Sequence, residues 1–205
     1  MKRTITLLLC VAVMGRAAAG FAQSGESTPA VSDDGRPVLR NYIAVTPTLV
    51  LMGIYGFVYG HAVDEHIVLV GMAGYTNFDL IPIRFLREYM RNDTYLYQNV
   101  YLGTNLTVFP FSDRMFPEGF YLGLDFVPTL CFMENRSTAA KGTAVGITVD
   151  AITGYSWILF DRLKLSVDVF LSVNTPGFFA CGENMNTDGR WEIMPFFDVN
   201  VGVVF

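Results

Sequence analysis

Charge is scarce in this chain. Only 16% of its 205 residues are Asp, Glu, Lys or Arg, while 52% are hydrophobic, against roughly 25% and 45–50% in ordinary soluble domains. That balance excludes disorder over most of the length and argues against an ordinary soluble domain. Basic charge is the scarcer sign. Against 19 Asp and Glu stand 14 Lys and Arg, the reverse of the basic footprint of a nucleic-acid binder. Histidine occurs only at His61 and His66. Two imidazoles are too few for a convincing metal site, and the segment between them holds no serine. A placed nucleophile, base and orienting group are therefore missing, so no catalytic residue, metal or cofactor is expected.

Unambiguous helix-forming apolar runs of spanning length are also missing. Ile5–Met14 is too short to cross a bilayer. Tyr42–Val63 carries no charge over 22 residues and contains Gly56-x-x-x-Gly60, a spacing that suits packed membrane helices. Pro47, three glycines and many β-branched and aromatic residues count against a helix there.

The amino terminus reads as a targeting segment. Lys2 and Arg3 precede the apolar stretch, and small residues lead to Gly20 and Ala22, which predicts a signal peptide over 1–22 cleaved after Ala22. A lipoprotein would use Cys10, but the preceding Leu7-Leu8-Leu9 lacks a small residue. Without residues 1–22 the chain carries 11 basic and 19 acidic residues, a net charge of −8. Residues 23–39 are small and polar and read as a flexible leader. Export permits a disulfide between Cys131 and Cys181; sequence cannot supply the Cα distance on which pairing depends.

From residue 40 onward the period is two. Phe197, Val199, Val201, Val203 and Phe205 alternate with Asp198, Asn200, Gly202 and Val204, which makes a strand with two chemically different faces. The same rule holds over Leu163–Asn174, Val145–Trp157, Phe120–Leu130 and Asn99–Val108, and more weakly over His66–Phe78. Tyr42–Val63 reads as two strands bending back near Gly53. Eight strands follow, at about 41–52, 54–63, 66–78, 98–109, 120–132, 144–158, 163–173 and 192–205. In a bilayer such strands must close so that every backbone polar group has a partner. The predicted fold is an all-β, membrane-spanning, antiparallel up-and-down β-barrel over 40–205. Connections 64–65, 110–119 and 159–162 are expected short, and 79–97, 133–143 and 174–191 long, the asymmetry of outer-membrane barrels. Trp157, Phe120 and Phe205 fall at one set of strand ends and Trp191, Phe132 and Tyr75 at the other, as interfacial aromatics do.

The closing segment Phe197–Phe205 resembles the carboxyl-terminal insertion signal of bacterial outer-membrane proteins. That resemblance implies recognition by the barrel-assembly machinery through Phe197, Val199, Val201, Val203 and Phe205. The whole of 40–205 is similar to small eight-stranded barrels of the OmpA transmembrane-domain and OmpX type. It resembles still more a group of poorly characterised small bacterial barrels carrying segments like Gly53-Ile54-Tyr55, Phe120-Tyr121-Leu122-Gly123 and Gly154-Tyr155-Ser156-Trp157. That group often has acids inside strand two, where this chain has Val58 and Gly60. The resemblance implies an outer-membrane location with lipid as the surrounding partner, and assigns no activity.

Four acids share the inward face: Asp125, Asp150, Asp168 and Asp198, with Lys164 as the lone basic strand residue beside them. Like charges so confined disfavour one another. Two readings stay open. One is a plug holding a shared proton or a cation; the other is a hydrogen-bonded network with Asn105, Asn200, Tyr101, Tyr121 and water. Tyr101, Tyr121, Phe170 and Ile152 are expected to fill most of so small a lumen. In segment 79–97, Arg84, Arg87 and Arg91 can share one helical face opposite Ile83, Phe85 and Leu86, a pattern suited to anionic headgroups. The reading is a monomeric outer-membrane barrel, structural or surface-interacting and not catalytic, with an unknown surface ligand. A narrow ion or solute conduit and a soluble periplasmic lipid-binding barrel are the alternatives.

Overall fold

A strand with one dry face and one polar face leaves its edges unpaired unless the sheet closes. The computed structural model of the chain describes residues 39–90, 95–112, 118–174 and 192–205. In them eight antiparallel strands close into one barrel in sequence order: β1 (Asn41–Val45), β2 (Ile54–Ala62), β3 (Ile67–Thr76), β4 (Tyr95–Val108), β5 (Gly119–Asn135), β6 (Lys141–Leu159), β7 (Leu163–Asn174) and β8 (Glu192–Val204). The up-and-down architecture is the expected one. The register, followed once round from Leu163 through Val203, Ile43, Tyr59, Gly71, Thr104, Phe126 and Val149, re-enters β7 at Val173, a stagger of ten residues. At about 3.3 Å rise per residue and about 4.7 Å between strands, that stagger tilts the strands by about 40°.

Connections 63–66, 109–118 and 160–162 define the lower end of the barrel. Phe160 and Asp161 have φ of 53° and 60°, and Arg162 N–H returns to Leu159 O at 3.2 Å. This is the two-residue hairpin whose twist matches the strands. In the β2–β3 turn, Asp64 Oδ1 accepts from the His66 and Ile67 amides at 2.7 and 2.8 Å. The signal-peptide segment and residues 23–38 lie outside the described residues. Leu39 packs against the lower core cluster.

Two expectations need correction. β1 stops at Val45, not near residue 52, and Pro47–Leu51 forms a one-turn helix, α1. Proline at the first helical position has no amide to lose and a φ already set for a helix. Gly53 then turns the chain at φ +80°; a Cβ there would meet Asn77 O at 2.7 Å. Tyr42–Val63 is thus strand, one-turn helix and strand, and no helix of the described residues is long and apolar enough to cross a membrane. The second correction concerns 133–143. β5 runs to Asn135 and β6 starts at Lys141, so the connection is short. Asn135 Oδ1 accepts from the Ser137 and Thr138 amides at 2.9 and 3.0 Å, which turns the chain at once. The expected long–short alternation is therefore less regular than the sequence suggests.

The upper β3–β4 connection carries a 3-10 turn (Phe78–Leu80) and the helix α2 (Arg84–Met90). Arg136 of the β5–β6 turn reaches across to Asp79 at 2.6 Å and ties two upper connections together. The lower core is a cluster built on Tyr42, Ala44, Val68, Phe109, Tyr121 and Val204, with Phe109 and Tyr121 rings 5.0 Å apart.

Candidate functional site: the barrel lumen

Residues opposite one another in register share a face, so the register decides what the lumen contains. Three inward tyrosines each stand opposite an inward glycine: Tyr42 on Gly60, Tyr101 on Gly74 and Tyr121 on Gly154. A Cβ on any of these glycines would strike the facing ring, and Tyr101 also covers Gly56. The Gly56-x-x-x-Gly60 spacing is therefore a pair of seats for Tyr101 and Tyr42.

The four acids form two cross-strand pairs. Asp125 faces Asp150 between β5 and β6, and Asp168 faces Asp198 between β7 and β8. All are buried, with Asp125 6% and Asp150 8% exposed. Asn200 Nδ2 donates to Asp168 Oδ2 at 2.6 Å and to Asp198 Oδ1 at 3.1 Å. Tyr121 donates its hydroxyl proton to Asp168. Asn105 donates to Asp125, and Thr107 to Asn105. Asn200 in turn accepts from Thr46. Of the expected network partners, Asn105, Asn200 and Tyr121 meet acids, while the Tyr101 hydroxyl lies over Gly56 and Gly74. Asp150 Oδ1 is buried without a hydrogen-bond partner, as is Asn99 Oδ1. Lys164 sits lower in the barrel, 3.2 Å from Ser166 Oγ and 4.8 Å from the Tyr42 ring centroid.

The lumen is not filled. A cavity of 580 Å³ remains, and its walls differ. On one side β5 to β8 present Asp125, Asp150, Asp168, Asp198 and Asn200, interleaved with Val127, Ile152, Phe170 and Phe196. On the other, Leu49 of α1, Met52 just after it, and Ile54, Val58, Val70 and Met72 of β2 and β3 carry no charge. Sequence reasoning missed the α1 contribution. β1 pairs with β8 only from Tyr42 to Val45, and with β2 only from Asn41 to Ala44. Above that level α1 stands between β2 and β8, and Thr48 Oγ1 accepts from the Val199 amide at 3.0 Å, where a strand would have continued the ladder. Pro47 was the signal that could have revealed it.

The remaining predicted residues are scattered. Arg84 and Arg87 lie on α2, and Arg84 Nε is 2.8 Å from Glu88; Arg91 lies outside the described residues. Phe197, Val203 and Phe205 point outward and exposed, and Val199 and Val201 share their face half-exposed. His61 and His66 sit at the lower rim, hydrogen-bonded to Asn41 and to Phe109 O. Cys131 is buried in the upper barrel; Cys181 and Trp191 lie outside the described residues.

No protein-family model and no curated protein matches the chain. Among solved structures, the N-terminal β-barrel domain of Pseudomonas aeruginosa OprF is similar at 12% identity and a TM-score of 0.43, with 80% of this chain and 96% of that one covered.

Proposed function

We propose that this chain is an outer-membrane β-barrel with a structural or surface-interaction role and no catalytic activity. One observation carries the reading: the barrel is apolar outside and keeps its buried carboxylates inside. Val145 is 74%, Leu102 67% and Phe197 66% exposed, whereas the four lumen acids are buried. An exposed apolar surface running round a whole barrel far exceeds what a water-soluble monomer shows, and lipid is the solvent that accepts it. The soluble lipid-binding alternative would need the opposite arrangement. A wide conduit is disfavoured because Tyr42, Phe109, Tyr121 and Val204 pack together at the lower end. Outer-membrane lipids and, during insertion, the barrel-assembly machinery are the partners this reading implies; α2 is the candidate for headgroup contact.

The test is membrane fractionation followed by gel electrophoresis with and without boiling. The expected protein is in the outer-membrane fraction and migrates faster unboiled than boiled. Recovery in the aqueous periplasmic fraction would defeat the reading.

A further inference from the structure

We propose that the lumen is a binding cup for an organic ammonium ion with an apolar tail, such as a primary alkylammonium. The cavity of 580 Å³ falls in the range of small-molecule sites, about 300–1,000 Å³. Its lower part is lined by Tyr42, Phe109 and Tyr121 of the lower aromatic cluster.

The two walls call for the two halves of such a ligand. Leu49 of α1 and Met52 just after it, with Ile54, Val58 and Met72 of β2 and β3, offer apolar side chains without a polar group to satisfy. Opposite them the acid pairs outnumber the lumen cation. Lys164 is held at the floor by Ser166 and the Tyr42 ring and leaves the upper pair, Asp125 and Asp150, without a positive partner among the described residues. Asn105 takes up Asp125. Ser172 hydrogen-bonds the Asp150 carboxyl, yet Asp150 Oδ1 is buried, borders the same cavity and has no hydrogen-bond partner. A buried acceptor left unpaired is costly, and a donor brought by a ligand removes that cost. The second orphaned acceptor, Asn99 Oδ1, borders the cavity as well. The deficit is thus of donors and positive charge. A chelated metal ion fits less well, since no group of three or more His, Cys, Asp or Glu among the described residues could hold one. An ammonium with three N–H donors meets the carboxylate pair, and its hydrocarbon lies along α1.

The experiment is native mass spectrometry of the barrel folded in nonionic detergent, with decylammonium, decanol and decanoate offered separately at equal concentration. One decylammonium per barrel is expected, retained about tenfold or more better than either isosteric probe, the gain of a charged hydrogen bond. Asp150→Asn should cut that retention about tenfold. Met52→Trp should cut it by filling the apolar side, and unboiled gel migration shows whether each variant is folded. Equal retention of the three probes by the unmodified protein, or no bound amine, would overturn the proposal. So would undiminished retention in a folded Asp150→Asn barrel. These measurements use detergent solution and do not depend on which membrane holds the protein.

Discussion

Tyr42 and Gly60 show at the residue scale how a narrow barrel holds large rings. The lumen of eight strands has room for few side chains, and a tyrosine pointing inward needs an empty neighbour. Register supplies one in each of three cases, Tyr42 with Gly60, Tyr101 with Gly74 and Tyr121 with Gly154. Gly60→Val should therefore destabilise the barrel by about 2 kcal/mol through overpacking, read as a lower urea midpoint for unfolding from lipid vesicles. Adding Tyr42→Ala to that variant should recover part of the loss, because the collision partner is gone. Recovery separates a ring–glycine clash from a general intolerance of valine at this position. Alternation alone identified which residues point inward, including all four acids. It did not show which acid faces which, nor that each tyrosine faces a glycine. Those facts depend on the pairing register, which is set between strands far apart in sequence.

At the scale of elements, β1 and α1 differ most from a sequence reading. Ile43, Val45, Pro47, Leu49 and Leu51 alternate without a break, so period two runs past the residue where the strand ends. Five residues are too few for a helical period to declare itself against that pattern. The remaining strands were legible because each is long enough for alternation to repeat; only their ends shifted. The substitution of α1 for the upper part of β1 leaves the Val199 amide to a side chain. Thr48→Val should leave that amide without a partner. The expected cost is about 1–2 kcal/mol, with faster hydrogen exchange at Val199 and unchanged exchange in β5 and β6. Protection at Val199 equal to the unmodified protein would mean that another group satisfies it. The apolar side of the lumen also belongs to this element. It escaped sequence analysis because Leu49 falls on the same face as Ile43 and Val45, the lipid-facing one, when the helix is read as strand.

On the scale of the whole molecule, polarity is inverted relative to a soluble domain, and the scarce charge explains how. Acids gather on the inward side of β5 to β8, so the outer apolar stripe of those strands carries charge only at its upper end, in the Glu134–Lys141 pair. The upper rim is tied by Arg136 to Asp79, and an aromatic cluster packs at the lower end. The result is a container whose lumen charge lies on one side, stiffened most by the long β5–β6 pairing and least by the short β1 seams.

The first and last strands meet at the lower end, where Asn41 N–H donates to Phe205 O at 2.9 Å and Phe205 N–H to Asn41 O at 2.8 Å. Those two residues are close enough to be joined by a short peptide. A circular permutant, joined there and opened between Ser137 and Thr138, would keep every strand neighbour while moving Phe197–Phe205 to the interior of the chain. Permutation is tolerated best at exposed turns, and this one is exposed. The permutant should refold in detergent with unchanged circular dichroism, yet fail to reach the outer membrane in cells. Normal assembly in cells would count against a role in insertion for the segment's place along the polypeptide.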